Sequence, residues 1–145
     1  YNNKDGYFYS ISKDAMADSD GSNRIIHKFL IKNSHKPLQH LKIDIDELND
    51  YLKVNFKSLM KGKEQFNPSA LDFHPITNDI YVLSATDKLL VILSENKIKH
   101  VYPLTAELYY KPEGLTFYPN GDLLISSEGD KKGLIKGSIM LFKYK

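Results

Sequence analysis

Two glutamates near the end of the chain, Glu113 and Glu128, form the arrangement with the most chemical promise. They flank Asn120-Gly121, the strongest short signal for a two-residue hairpin turn with both central residues at positive φ. With those two residues as the loop, Tyr118 faces Leu123, Thr116 faces Ile125, Leu115 faces Ser126 and Glu113 faces Glu128. Directly opposed residues project to one face with Cβ atoms roughly 5 Å apart. Two carboxylates that close repel unless a cation or a shared proton lies between them. A hard divalent cation such as Ca2+, held by several oxygens, is the expected occupant. Asn67, Ser69 and Ser127 stand nearby as further oxygen donors. The same acids would also suit glycoside or lactone hydrolysis, although no nucleophile or third group accompanies them. The plainer alternative is a pair of solvated acids neutralised by Lys111 or Lys131.

Those residues sit in a repeat. Pro68-Ser69-Ala70-Leu71-Asp72-Phe73-His74-Pro75 returns as Pro112-Glu113-Gly114-Leu115-Thr116-Phe117-Tyr118-Pro119, a spacing of 44 residues. Downstream, Asp79-Ile80-Tyr81-Val82-Leu83-Ser84 matches Asp122-Leu123-Leu124-Ile125-Ser126-Ser127, with the turn one residue shorter. Leu89-Leu90-Val91-Ile92-Leu93 then matches Ser138-Ile139-Met140-Leu141-Phe142. A weaker copy opens the chain as Tyr7 to Ser12 and Arg24 to Leu30. Each run is short, rich in β-branched and aromatic residues, and bounded by Gly, Pro, Asn or Asp, which reads as strands. Several are apolar on both faces, as a sheet covered on both sides requires. Lys97 to Tyr102 adds a fourth, outer strand to the middle unit.

The spacing falls in the range of β-propeller blades. We therefore expect an all-β fold of about three blades, with units at about 1–43, 64–110 and 111–145. From Asp46 to Met60, Leu48, Leu52, Phe56 and Leu59 recur at helical spacing, and Asp44 or Asp46 would cap a short inserted helix. In the middle repeat Ser69 and Ala85 occupy the positions of Glu113 and Glu128, so the fold itself does not demand the acid pair.

Composition narrows the function further. The net charge is +2 from 20 basic and 18 acidic residues mixed along the chain, with no basic stripe for nucleic acid. Absence of cysteine excludes disulfides, thiolate metal sites and a thiol nucleophile. No apolar run approaches the ~18 residues that span a bilayer. Asp18-Ser19-Asp20-Gly21-Ser22-Asn23 has the flavour of a calcium loop, but its glycine comes early and Phe29 stands where the bidentate acid belongs, so a polar loop is expected. His27, His35, His40, His74 and His100 show no metal-ligand spacing.

Asn67 through Ala85, Leu89 to Ile92 and Pro112 to Phe117 resemble the SdiA-regulated family of bacterial proteins, well from Asn67 onward and loosely before it. The resemblance implies a six-bladed propeller of unestablished activity with a calcium site, exported or membrane-anchored as a lipoprotein in the cell envelope. It would be a binding module for a divalent cation or small ligand at the central channel. A calcium-dependent lactonase or phosphotriesterase and a protein- or glycan-binding scaffold are its rivals. A six-bladed ring needs well over ~200 residues. This chain of 145 is then expected to lack an N-terminal half, with a small molecule or protein at the rim as its partner.

Overall fold

The computed structural model describes residues 1–13, 23–30, 37–57 and 66–145. Most of the aspartate-rich loop, His35 and residues 58–60 of the expected helix lie outside them. The described residues form three antiparallel sheets. The first holds β1 (Phe8–Ile11), β2 (Asn23–Phe29) and β3 (Leu38–Asp44). The middle one holds β4 (Ala70–Phe73), β5 (Ile80–Ser84), β6 (Leu89–Ser94) and β7 (Lys97–Pro103). The last holds β8 (Pro112–Phe117), β9 (Leu123–Ser127) and β10 (Ser138–Phe142). Strands follow one another in chain order within every sheet. Among the described residues the one helix, α1, spans Ile45–Asn55.

The expected strands are all present among the described residues, and β3 is an addition the sequence reading passed over. It pairs with β2 through a bulge at Ile26/His27, and its buried Leu41 and Ile43 alternate with polar residues. The helix is capped by Asp44, whose carboxylate accepts from the Asp46 and Glu47 amides. It ends at Asn55 rather than running on, because Phe56 leaves helical geometry at φ −139°. Leu48 and Leu52 bury its apolar stripe against the first two sheets.

The middle sheet is covered on both faces. Val82, Val91, Leu93 and Val101 join Ile26, Leu41, Ile43 and the helix in one core. Leu83 and Leu90 form a second core with Ile125, Leu115 and Met140 of the last sheet. This double covering explains why β6 is apolar at consecutive positions rather than at alternate ones. Each fully buried aliphatic side chain there contributes about 1.5–3 kcal/mol.

The β8–β9 hairpin corrects the expected turn. The Tyr118 amide donates to the Asp122 carbonyl and the Gly121 amide to the Tyr118 carbonyl, at 2.8 and 2.9 Å. The loop is therefore Pro119-Asn120-Gly121, three residues, and only Gly121 takes positive φ (91°). Proline presets the second position of a type I turn, and glycine then closes it as a bulge. Thr116 consequently faces Leu124 and Leu115 faces Ile125, one residue off the expected register. A second irregularity follows between Pro112, which has no amide hydrogen to donate, and Gly114. Glu113 is the bulged residue, so it does not stand opposite Glu128.

Candidate functional site

Strands β4 and β8, the first of the middle and last sheets, lie side by side and are bridged near their ends by side-chain hydrogen bonds. At one end the Ser69 hydroxyl donates to the Pro112 carbonyl at 3.1 Å. At the other the Thr116 hydroxyl donates to the Asp72 carboxylate at 2.9 Å. The two ends differ in what they assemble.

The first end carries the residues singled out as cation ligands. The Ser69 hydroxyl reaches the Pro112 carbonyl there, one residue before Glu113, whose side chain is exposed. The Asn67 amide is taken by the Asp87 carboxylate, which also receives the Ser84 hydroxyl. Glu128 is not brought to Glu113. Its amide donates to the Lys111 carbonyl, and its carboxylate lies 3.6 Å from the Lys111 ammonium. That is the lysine partner of the plainer alternative. Ser127 is buried, with its hydroxyl oxygen unpartnered. Among the described residues, no group of three or more histidines and acids gathers as a metal would require.

The second end holds a cleft of about 330 Å3. Asp72 and Thr116 form part of its wall, with Tyr1, Lys4, Phe117 and Asn78 around them. Residues 1–7 supply one side of it. They close on themselves through the Asn2–Tyr7 bridge and a positive-φ Gly6, and the Lys4 ammonium then donates to the Ile76 carbonyl at 3.1 Å. The hairpin turns supply the other side, and buried aspartates at the starts of β5 and β9 fix them. Asp79 binds Lys99 at 2.9 Å, and Asp122 binds Lys143 at 2.7 Å and the Tyr144 amide at 3.0 Å. Burial raises the Asp79 carboxyl, but hydrogen bonds from Ser94, Lys99 and Thr77 outweigh it and hold the group below the usual range. The Lys143 and Tyr144 bonds do the same for Asp122.

His74, itself part of the cleft lining, is buried among Tyr81, Phe117 and Tyr144. Its Nδ1 accepts from the Thr77 amide at 3.1 Å, which leaves the proton on Nε2. Burial pushes its pKa below the ordinary value, which favours the neutral ring. The cleft itself offers a carboxylate acceptor, a hydroxyl, an ammonium and aromatic walls. Chemically, that set is complementary to a small polar molecule rather than to an apolar one. Asp72 and Thr116 were not singled out from the sequence, although polar residues at one repeat position in two otherwise apolar strands are a readable signal.

No family model, no curated protein and no solved structure matches this chain. Among the described residues no helix is long and apolar enough to cross a membrane.

Proposed function

We propose that this chain is an arc of a β-propeller acting as a binding module, with a small polar molecule as ligand in the cleft beside Asp72 and Thr116. The observation that carries it is the cleft of about 330 Å3 in which these repeat-equivalent residues meet. Its volume lies within the range of small-molecule sites. What supports the propeller reading is that the first strands β4 and β8 of neighbouring sheets lie against each other, while within each sheet the strands follow in chain order. An exported or envelope-anchored protein with further blades is part of the same proposal. Catalysis ranks behind binding: the Thr116 hydroxyl donates to the Asp72 carboxylate at 2.9 Å, but an ordinary carboxylate is a weak base for so weakly acidic a hydroxyl.

Calorimetric titration with monosaccharides, amino acids and small amines tests the assignment. A ligand should bind the wild type, lose most of its affinity in Asp72→Asn and keep it in Glu113→Gln. Binding that survives Asp72→Asn would remove the cleft from consideration.

A divalent cation at Glu113, with Asn67 and Ser69, is the second reading, favoured by the contact that joins Ser69 to the Glu113 bulge. Calcium at a hundredfold excess over Kd would then stabilise the fold by about 2.7 kcal/mol. Glu113→Gln should abolish that gain while Glu128→Gln leaves it. Equal melting midpoints in calcium and in chelator would end this reading.

A further inference from the structure

We propose that Asn120 is a site of spontaneous deamidation, and that its conversion to a carboxylate loosens, one way only, the clamp by which Asp122 holds Lys143 and Tyr144 onto the β8–β9 turn. The chemistry needs only water and hydroxide, and it asks nothing of the cleft or of a cation.

Asn120-Gly121 is the one Asn-Gly pair in the sequence. A backbone amide attacks the preceding asparagine side chain most readily when it belongs to glycine, which has no Cβ to shield it. The Gly121 nitrogen, having given its proton to hydroxide, bonds to the side-chain carbonyl carbon of Asn120. The carboxamide carbon–nitrogen bond breaks, and the nitrogen leaves as ammonia with a proton drawn from water. A succinimide ring results. Water then opens it at either carbonyl to give aspartate or isoaspartate, with no change of oxidation state.

Asn120 is exposed, so water and hydroxide reach it. While the turn is closed, both reacting groups are held in other bonds. The Gly121 amide donates to the Tyr118 carbonyl at 2.9 Å. The Asn120 carboxamide meets Asp122 twice at 3.1 Å, its oxygen accepting from the Asp122 amide and its nitrogen donating to the Asp122 carboxylate. Attack requires these bonds to open, and what keeps them shut lies on the other side of Asp122. The buried Asp122 carboxylate accepts from the Lys143 ammonium and the Tyr144 amide at 2.7 and 3.0 Å. The Tyr144 ring lies over Gly121, where an added Cβ would come within 2.9 Å of it. Deamidation puts a carboxylate oxygen where the Asn120 nitrogen now stands, 3.1 Å from Asp122. The donor that Asn120 gave Asp122 is lost, and like charges at that separation repel. Isoaspartate goes further, because it adds a carbon to the backbone of the turn. Refolding reverses neither product.

The test is a time course of the full chain in mildly alkaline buffer, with peptide mapping by mass spectrometry and melting midpoints on the same samples. Acid should accumulate at Asn120 ahead of Asn78 and Asn96, which precede Asp79 and Lys97, and the midpoint should fall in step. Asn120→Gln should suppress both changes, because glutamine closes the larger ring far more slowly. Lys143→Met should speed conversion about threefold, since losing an ion pair to Asp122 raises the population of the opened turn. The Lys143 side chain is largely exposed, so this variant keeps the fold. Asn120→Asp carries the new charge from the start and should melt below the wild type. Three results would overturn the proposal. In the first, Asn120 stays intact in the native chain but converts once the chain is denatured, so the closed turn protects it. Equal rates in the wild type and Lys143→Met would detach the reaction from the clamp. An unchanged midpoint in Asn120→Asp would show that the turn accommodates the second carboxylate.

Discussion

The middle and last sheets are copies of one sequence pattern placed in different surroundings. Leu90 and Ile139 are repeat equivalents, 6% and 72% exposed respectively. Ile92 and Leu141 are another such pair, 5% and 48% exposed. The difference is in the neighbours. The middle sheet has a fourth strand and a sheet on each face, whereas the last has three strands and one covered face. Side-chain type alone therefore does not decide burial in this molecule. The apolar character of β10 matches that of the interior strand β6, and among the described residues it is covered on one face.

The sharpest test is to truncate the equivalent residues. Leu90→Ala should cost about 2–4 kcal/mol, the usual range for a buried leucine less some relief from the cavity of about 470 Å3 that it lines. Ile139→Ala should cost less than about 0.5 kcal/mol, as exposed positions do. Urea denaturation of both variants gives the comparison directly. Equal costs would mean that the outer face of the last sheet is covered in solution, and the contrast would collapse.

A second contrast lies in the hairpin turns. The middle turn closes on Asn78 at φ 65°, and the last closes on Gly121 at φ 91°. A Cβ at Gly121 would stand 2.9 Å from the Tyr144 ring and 3.2 Å from His74 Nε2. Gly121→Ala should therefore cost about 1–3 kcal/mol from backbone strain and the clash together. Asn78→Gly should change stability by no more than about 0.5 kcal/mol, since glycine accepts the same φ. A tolerated Gly121→Ala would show that Tyr144 does not pack over the turn.

How much of this was readable in advance follows from what each feature depends on. Strand positions were legible because local pattern and repeat spacing point the same way at Ile80–Ser84 and Leu123–Ser127. The helix cap was legible from Asp44. Register was missed because Pro119 outcompetes Asn120 in setting the turn, and because the bulge at Glu113 shows only once Pro112 meets β9. Both misreadings fall on the one hairpin that carried the paired-acid argument. The cleft was invisible for another reason. Its walls come from residues 1–7, the β4 end and the β8 end, and only long-range packing joins them. β3 was missed because its alternation is short and follows a segment with no strong turn signal for a hairpin.

The two repeats also treat one serine differently. The Ser84 hydroxyl donates to Asp87 at 2.5 Å and accepts from the Asp87 amide at 3.1 Å. Its equivalent, Ser127, is buried with an unpartnered oxygen, while Asp130 turns to the Ile135 amide instead. Ser84→Ala should cost about 1–2 kcal/mol, because it leaves the Asp87 amide without its acceptor and the Asp87 carboxylate with the Asn67 amide but without the hydroxyl. Ser127→Ala should be neutral or slightly stabilising, since it removes a buried hydroxyl that bonds to nothing. Melting midpoints of the two variants decide it. A loss in Ser127→Ala as large as in Ser84→Ala would reveal a partner for that hydroxyl.

The smallest effect concerns pH. His74 in the middle repeat corresponds to Tyr118 in the last, so only one of the two hairpins carries a group that titrates near neutrality. Burial lowers the His74 pKa most, and Lys4 and Lys99 act in the same direction, while Asp79 opposes them. The unfolded chain therefore takes up a proton near pH 6.5, before the folded chain does. Stability should be complete above that value and should decline as pH falls through it, continuing until the folded ring is protonated as well. Protonation at Nδ1 would also remove the acceptor for the Thr77 amide and place a charge among three aromatic rings. Asp79 and Asp122 lie below the usual carboxylate range, so their contribution persists at this pH and is lost only in stronger acid. His74→Phe should flatten the dependence of the melting midpoint between neutrality and about pH 5, at some cost in stability from the lost turn bond. Tyr118→Phe, at the equivalent position, should leave the dependence unchanged. A slope that persists in His74→Phe would move the titration elsewhere and leave the two hairpins alike in their response to acid.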